Sequence, residues 1–90
     1  MSESIYQQAV NKWGTKPQVE QAIEECAELI LALRHYDRNK ASIADVVSEI
    51  ADVEIMCEQL RCIFGSFFVD VAKKQKLTRL QGIIDQEKEG

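Results

Sequence analysis

The 90-residue sequence predicts an all-α protein built on an antiparallel helical hairpin with flanking helices, completed to a four-helix bundle by oligomerisation. Three observations carry that prediction. Glycine and proline are sparse, four and one in the whole chain, and the segments between Gly14, Pro17, Gly65 and Gly82 show apolar residues at helical rather than alternating spacing. A polar stretch, Asp37-Arg38-Asn39-Lys40, separates the two longest periodic segments and reads as a turn. The composition, 46% hydrophobic and 29% charged, is that of a folding chain rather than a disordered one. Its length fits a single domain, residues 1–90.

A first helix is expected over residues 2–12, with Ile5, Ala9, Tyr6 and Val10 on one side. The link Trp13-Gly14-Thr15-Lys16 leads into a second helix, in which Pro17 takes a first-turn position and which runs to about Tyr36. Ser42 followed by Asp45 resembles a capping box with Asp in place of Glu, so a third helix starts there and ends near Gly65. Within it Ile43, Val46, Ile50, Val53, Cys57, Leu60 and Phe64 alternate at spacings of 3 and 4, the pattern of a narrow seam against a partner helix. A more polar fourth helix covers about Ser66 to Lys88 and carries Lys73, Lys74, Lys76 and Arg79.

A net charge of −4 offers no overall positive field for nucleic acid. The longest uninterrupted apolar run, Leu29 to Leu33, is far below the roughly 20 residues that span a bilayer. The start MSESIYQQAV lacks a signal-peptide core, so a cytoplasmic protein without membrane contact is expected. Cys26, Cys57 and Cys62 form no CxxC pair and read as free, buried or half-buried packing thiols.

The informative residues are acidic: Glu24, Glu25 and Glu28 on the second helix, Glu49 and Asp52 on the third. Residues three apart on a helix share a face, so Glu25 with Glu28, and Glu49 with Asp52, each aim two carboxylates at one small volume. The residue numbers of Glu28 and Glu49 average 38.5, as do those of Glu25 and Asp52, and 38.5 falls in the polar turn. A hairpin folded there brings both pairs to the same height. Such like charges point into water, take up protons, or hold cations. A solvated acidic face is the ordinary outcome. Here, however, the faces continue into apolar surface, through LILAL after Glu28 and through Met56 and Ile63 after Asp52.

All-oxygen ligands suit hard ions, Mg²⁺ or Mn²⁺, and neither acidic pair carries the histidine of a di-iron site or a zinc site. Mg²⁺ held by carboxylates keeps positions open for water and phosphate oxygens, which points to phosphoryl chemistry.

The segments IEECAEL (Ile23 to Leu29) and EIADVEIM (Glu49 to Met56), with KWG before and EQL after, resemble the EExxE…ExxD pattern of the MazG-like all-α nucleoside triphosphate pyrophosphohydrolases over residues 5 to about 80. The resemblance implies that Glu25, Glu28, Glu49 and Asp52 bind Mg²⁺, with Glu24 as a nearby ligand or a group supporting the ligands, and that the products are a nucleoside monophosphate and pyrophosphate. Glu24 and Glu25 are the candidates to take the proton of the attacking water, as a carboxylate not fully occupied by metal. It implies phosphate contacts from Lys76 and Arg79, with Lys73 as the substitute in another register. It also implies a homodimer or homotetramer whose second subunit completes the nucleotide site.

Trp13 is expected as a packing plug or as a stacking surface for a base or ribose, and Gln18 and Gln21 as polar surface or base contacts. His35 is expected to meet the carbonyls or dipole at its helix end, and Glu58 with Arg61 to form a surface pair. Two other functions are compatible with the same scaffold: a non-catalytic helical interaction module, and a related enzyme acting on a pyrophosphate-containing metabolite such as phosphoribosyl-ATP.

Overall fold

The computed structural model describes residues 3–89, which form four α-helices: α1 (Ile5–Trp13), α2 (Thr15–Asp37), α3 (Ile43–Phe64) and α4 (Ser66–Glu89). There is no strand among the described residues. Ser2, included in the expected first helix, lies outside them. Among the described residues no helix is long and apolar enough to cross a membrane.

Local chemistry fixes each boundary. The Ser4 hydroxyl accepts the Gln7 amide at 3.1 Å and starts α1. Gly14 ends α1 by donating to the Val10 carbonyl at 2.8 Å, and its φ of 87° turns the chain directly into α2. Pro17 then occupies the first turn of α2, where a backbone N–H has no partner within the helix to lose. At the other end Lys40 donates its amide to the His35 carbonyl at 2.7 Å and Asn39 donates to Tyr36 at 3.0 Å. Asn39, at φ 59°, supplies the left-handed residue of this Schellman closure. The capping box expected for α3 is present: Ser42 Oγ accepts the Asp45 amide at 3.1 Å, and Asp45 Oδ2 accepts the Ser42 amide at 2.8 Å.

Packing is concentrated in the α2–α3 hairpin; α1 leans mainly on α3, and α4 touches only α3. The elbow before α4 rests on Gly65, at φ 107°, where an added Cβ would stand 2.8 Å from the Phe68 ring. Arg61 braces the elbow. Its Nη1 donates to Ser66 Oγ at 3.1 Å and to Asp70 Oδ1 at 2.7 Å. The expected partner Glu58 lies at 4.0 Å, the margin of an ion pair.

Within one protomer the apolar surface is left largely open. Ala9, Ala22 and Met56 are the buried apolar residues among those described, whereas Ile23, Ile30, Leu31, Ile43, Ile50 and Phe64 are exposed. The continuation of LILAL into buried surface is therefore not met inside the chain, and the seam on α3 has no intrachain occupant along Ile43, Ile50 and Phe64. Cys26 and Cys57 are exposed and Cys62 half-buried, so only Cys62 approaches the packing role expected of the thiols. The cause is common to all of these: the periodicity sets an apolar face, but no fifth element of this chain lies against it. The chain exposes 7337 Å², against about 5,300 Å² for a compact monomer of its mass. Its radius of gyration is 16.7 Å, against about 12 Å for a compact domain of this length.

Candidate metal centre

The hairpin register brings the two acidic pairs face to face. One carboxylate oxygen from each of Glu25, Glu49 and Asp52 lies within 4.8 Å of the other two, and all three residues are half-buried. Glu25 projects from α2 and the other two from successive turns of α3. Glu25 Oε2 and Glu49 Oε2 are shielded from solvent and have no hydrogen-bond partner. Glu25 Oε1 is held by the Gln21 amide at 2.9 Å, which orients the carboxylate.

Glu28 lies at the rim and is exposed. Its carboxyl is held above the usual range by the negative charge of Glu25, then by partial loss of water and the charges of Glu49 and Asp52. All four expected ligands are thus within electrostatic reach of one another, with three forming the tight set.

The donor set fits a hard cation. Shielded carboxylate oxygens without donors leave desolvation uncompensated, and a divalent ion supplies what is lacking with oxygen ligands alone.

The other expected site residues are placed elsewhere. Glu24 is exposed and outside the tight set. Lys76 and Arg79 are exposed on α4, which touches α3 but not α2, and neither lines the cavity at the carboxylates. Lys73 lines a different cavity, with Tyr6, Glu54 and Arg61. Trp13 is 56% exposed, with Lys12 Nζ 5.2 Å from its ring, and is not a packing plug. It belongs to α1, ahead of the Gly14 turn, and the start of α2 is about 15 Å from Glu25 along the helix. Gln18 is buried, at 6% exposure, rather than a polar surface residue, and its Oε1 is unpartnered. Seven residues, about 10 Å of helix, separate it from Glu25.

One set of residues beside the carboxylates is not apparent from the sequence pattern. A cavity of about 350 Å³ shares Glu28 and Glu49 with the centre and continues toward the α2–α3 turn past His35, Lys40, Asp45 and Ser48. The register of the hairpin contained the signal, because the same averaging that pairs Glu28 with Glu49 pairs His35 with Ser42 at the turn end. His35 lines this cavity, and its carbonyl accepts the amides of Arg38 and Lys40. No protein-family description, curated protein or solved structure matches the chain in comparison with known proteins.

Proposed function

We propose that the chain is a Mg²⁺-dependent nucleoside triphosphate pyrophosphohydrolase of the MazG-like kind. The observation that carries the reading is the convergence of Glu25, Glu49 and Asp52, with two shielded oxygens that no donor satisfies. These residues, with Glu28 at the rim, would hold Mg²⁺, or Mn²⁺ in its place. Bound there, the ion supplies charge neutralisation for phosphate oxygens and acidifies water.

In the reaction a water oxygen bonds to the α-phosphorus. The bond from that phosphorus to the α–β bridging oxygen breaks, and its electron pair leaves on pyrophosphate. The proton of the water passes to a carboxylate, Glu24 or Glu25. Of the two, Glu25 is oriented by Gln21 and faces the centre.

The assembly belongs to the same proposal. The chain exposes about 2,000 Å² more than a compact monomer would, and stable interfaces bury about 800 Å² per partner. That excess supports a second copy on the open face of the hairpin, giving a homodimer or a dimer of dimers and the four-helix bundle. Val53→Asp or Leu60→Asp is expected to split the assembly or unfold it, read by light scattering on a sizing column.

The deciding experiment incubates the chain with a panel of nucleoside triphosphates and Mg²⁺ and assays pyrophosphate. Release from at least one, abolished by chelation and restored by Mg²⁺, is the expected result. An assembled, metal-supplemented protein that releases none would leave the interaction module as the reading. Release from phosphoribosyl-ATP alone would place the same centre in the related enzyme class.

A further inference from the structure

Lys40 is the one Lys or Arg among the residues that line the cavity beside the carboxylates. Its place is set by the backbone: the Lys40 amide closes on the His35 carbonyl at 2.7 Å, and Asn39 takes the left-handed conformation that this closure needs. Lys40 is thereby tied to the last turn of α2 rather than carried on a free loop. The acidic residue of the cavity wall outside the centre, Asp45, already accepts the Ser42 amide at 2.8 Å. The cavity shares Glu28 and Glu49 with the metal centre, so a ligand chain held at the centre continues into it.

A triphosphate carries more negative charge than one divalent ion neutralises, and further charge develops on the leaving group as the α–β linkage breaks. Within one protomer neither Lys76 nor Arg79 lines this volume. We propose that Lys40 binds the terminal phosphate of the substrate, with the Ser48 hydroxyl and the His35 ring as further hydrogen-bonding groups. The triphosphate then runs from the carboxylates toward the α2–α3 turn, and pyrophosphate leaves on that side. This assignment rests on the pyrophosphohydrolase reading and adds to it a direction for the substrate.

The test uses Lys40→Ala, Lys40→Arg and the double variant Lys76→Ala/Arg79→Ala, with the triphosphate that wild type turns over fastest. A charge-assisted hydrogen bond contributes about 1.5–3 kcal/mol, so Lys40→Ala should raise KM for the triphosphate about 10- to 100-fold, and Lys40→Arg should recover most of the loss. The second readout is binding of inorganic pyrophosphate in Mg²⁺, followed by thermal shift. Lys40→Ala should lose that shift while keeping the shift given by Mg²⁺ alone. Because the turn is closed by the Lys40 backbone, the variant is expected to fold.

An active wild type whose Lys40→Ala form keeps both KM and the pyrophosphate shift overturns this proposal alone. The proposal fails equally if only Lys76→Ala/Arg79→Ala raises KM, since the terminal phosphate would then lie on α4 of a second copy. A wild type that releases no pyrophosphate from any triphosphate overturns the hydrolase reading, and this assignment with it.

Discussion

Asp45 and Glu49 stand one turn apart on α3, and their surroundings differ in kind. The Asp45 carboxylate closes a capping box: it accepts the Ser42 amide, and that backbone hydrogen bond, followed by the Ser42 side chain, holds its carboxyl below the usual range. Glu49 has a shielded oxygen with no donor and faces Glu25 and Asp52. Its neighbour Glu28 is pushed upward chiefly by the charge of Glu25. The Asp45 carboxylate is completed by its own chain, whereas an oxygen of Glu49 has no donor in it. The difference shows that acidic residues on one helix divide by partner rather than by charge count.

The most severe way to break this comparison is Asp52→Asn. Loss of groups that merely support a metal ligand costs 10- to 100-fold in affinity or activity, so loss of a ligand should lower pyrophosphate release by at least about 100-fold. In chelator the variant should be as stable as wild type or slightly more so, because one repelling charge is gone. A variant that unfolds readily in chelator would show that Asp52 packs rather than binds, and the contrast with Asp45 would disappear.

Ser42→Ala should have a smaller effect, on stability rather than on the centre. Losing an N-cap costs about 1 kcal/mol, to be read as an earlier urea midpoint, with KM and the Mg²⁺ response unchanged. A changed Mg²⁺ response would mean that the cap and the centre are coupled through the first turns of α3.

The smallest effect is the pH dependence of metal-free stability, in which the two carboxylates have opposite signs. Glu28 has a raised folded pKa, so the native state binds the proton more tightly. Its stabilising effect is fully present below 4.5 and is lost as pH rises from there through the folded value. Asp45 has a lowered one, so its stabilisation is present above 3.8 and is lost as pH falls through the folded value. Urea midpoints in chelator should therefore decline on both sides of the pH 4 region. Glu28→Gln should flatten the upper limb and Asp45→Asn the lower, and Mg²⁺ should flatten only the upper.

Much of the hairpin was legible because its determinants are local. The Ser42–Asp45 box, the polar turn and the three-residue spacing of the acidic pairs depend on neighbours in sequence, and the averaging about the turn needed only a short connection. Helix ends came within a few residues: α2 ends at Asp37 and α3 at Phe64. What was not legible depends on which face meets which. Gln18 and Trp13 exchanged the environments expected of them, because α1 packs mainly on α3 and leaves the indole outside. Arg61 read as half of a surface pair because Asp70 belongs to the next helix, beyond an elbow that periodicity does not register. Lys40 lay in a turn, where no period singles out a side chain.

That elbow has a consequence for anyone recoding the gene. At position 65 every substituent larger than hydrogen collides with the Phe68 ring and demands a dihedral that L-residues rarely adopt. The bearing of the final 24-residue rod therefore rests on the missing Cβ at Gly65 together with the Arg61 brace. A library confined to that codon would vary the rod's orientation while the α2–α3 carboxylates, which α4 does not hold through α2, stay in place.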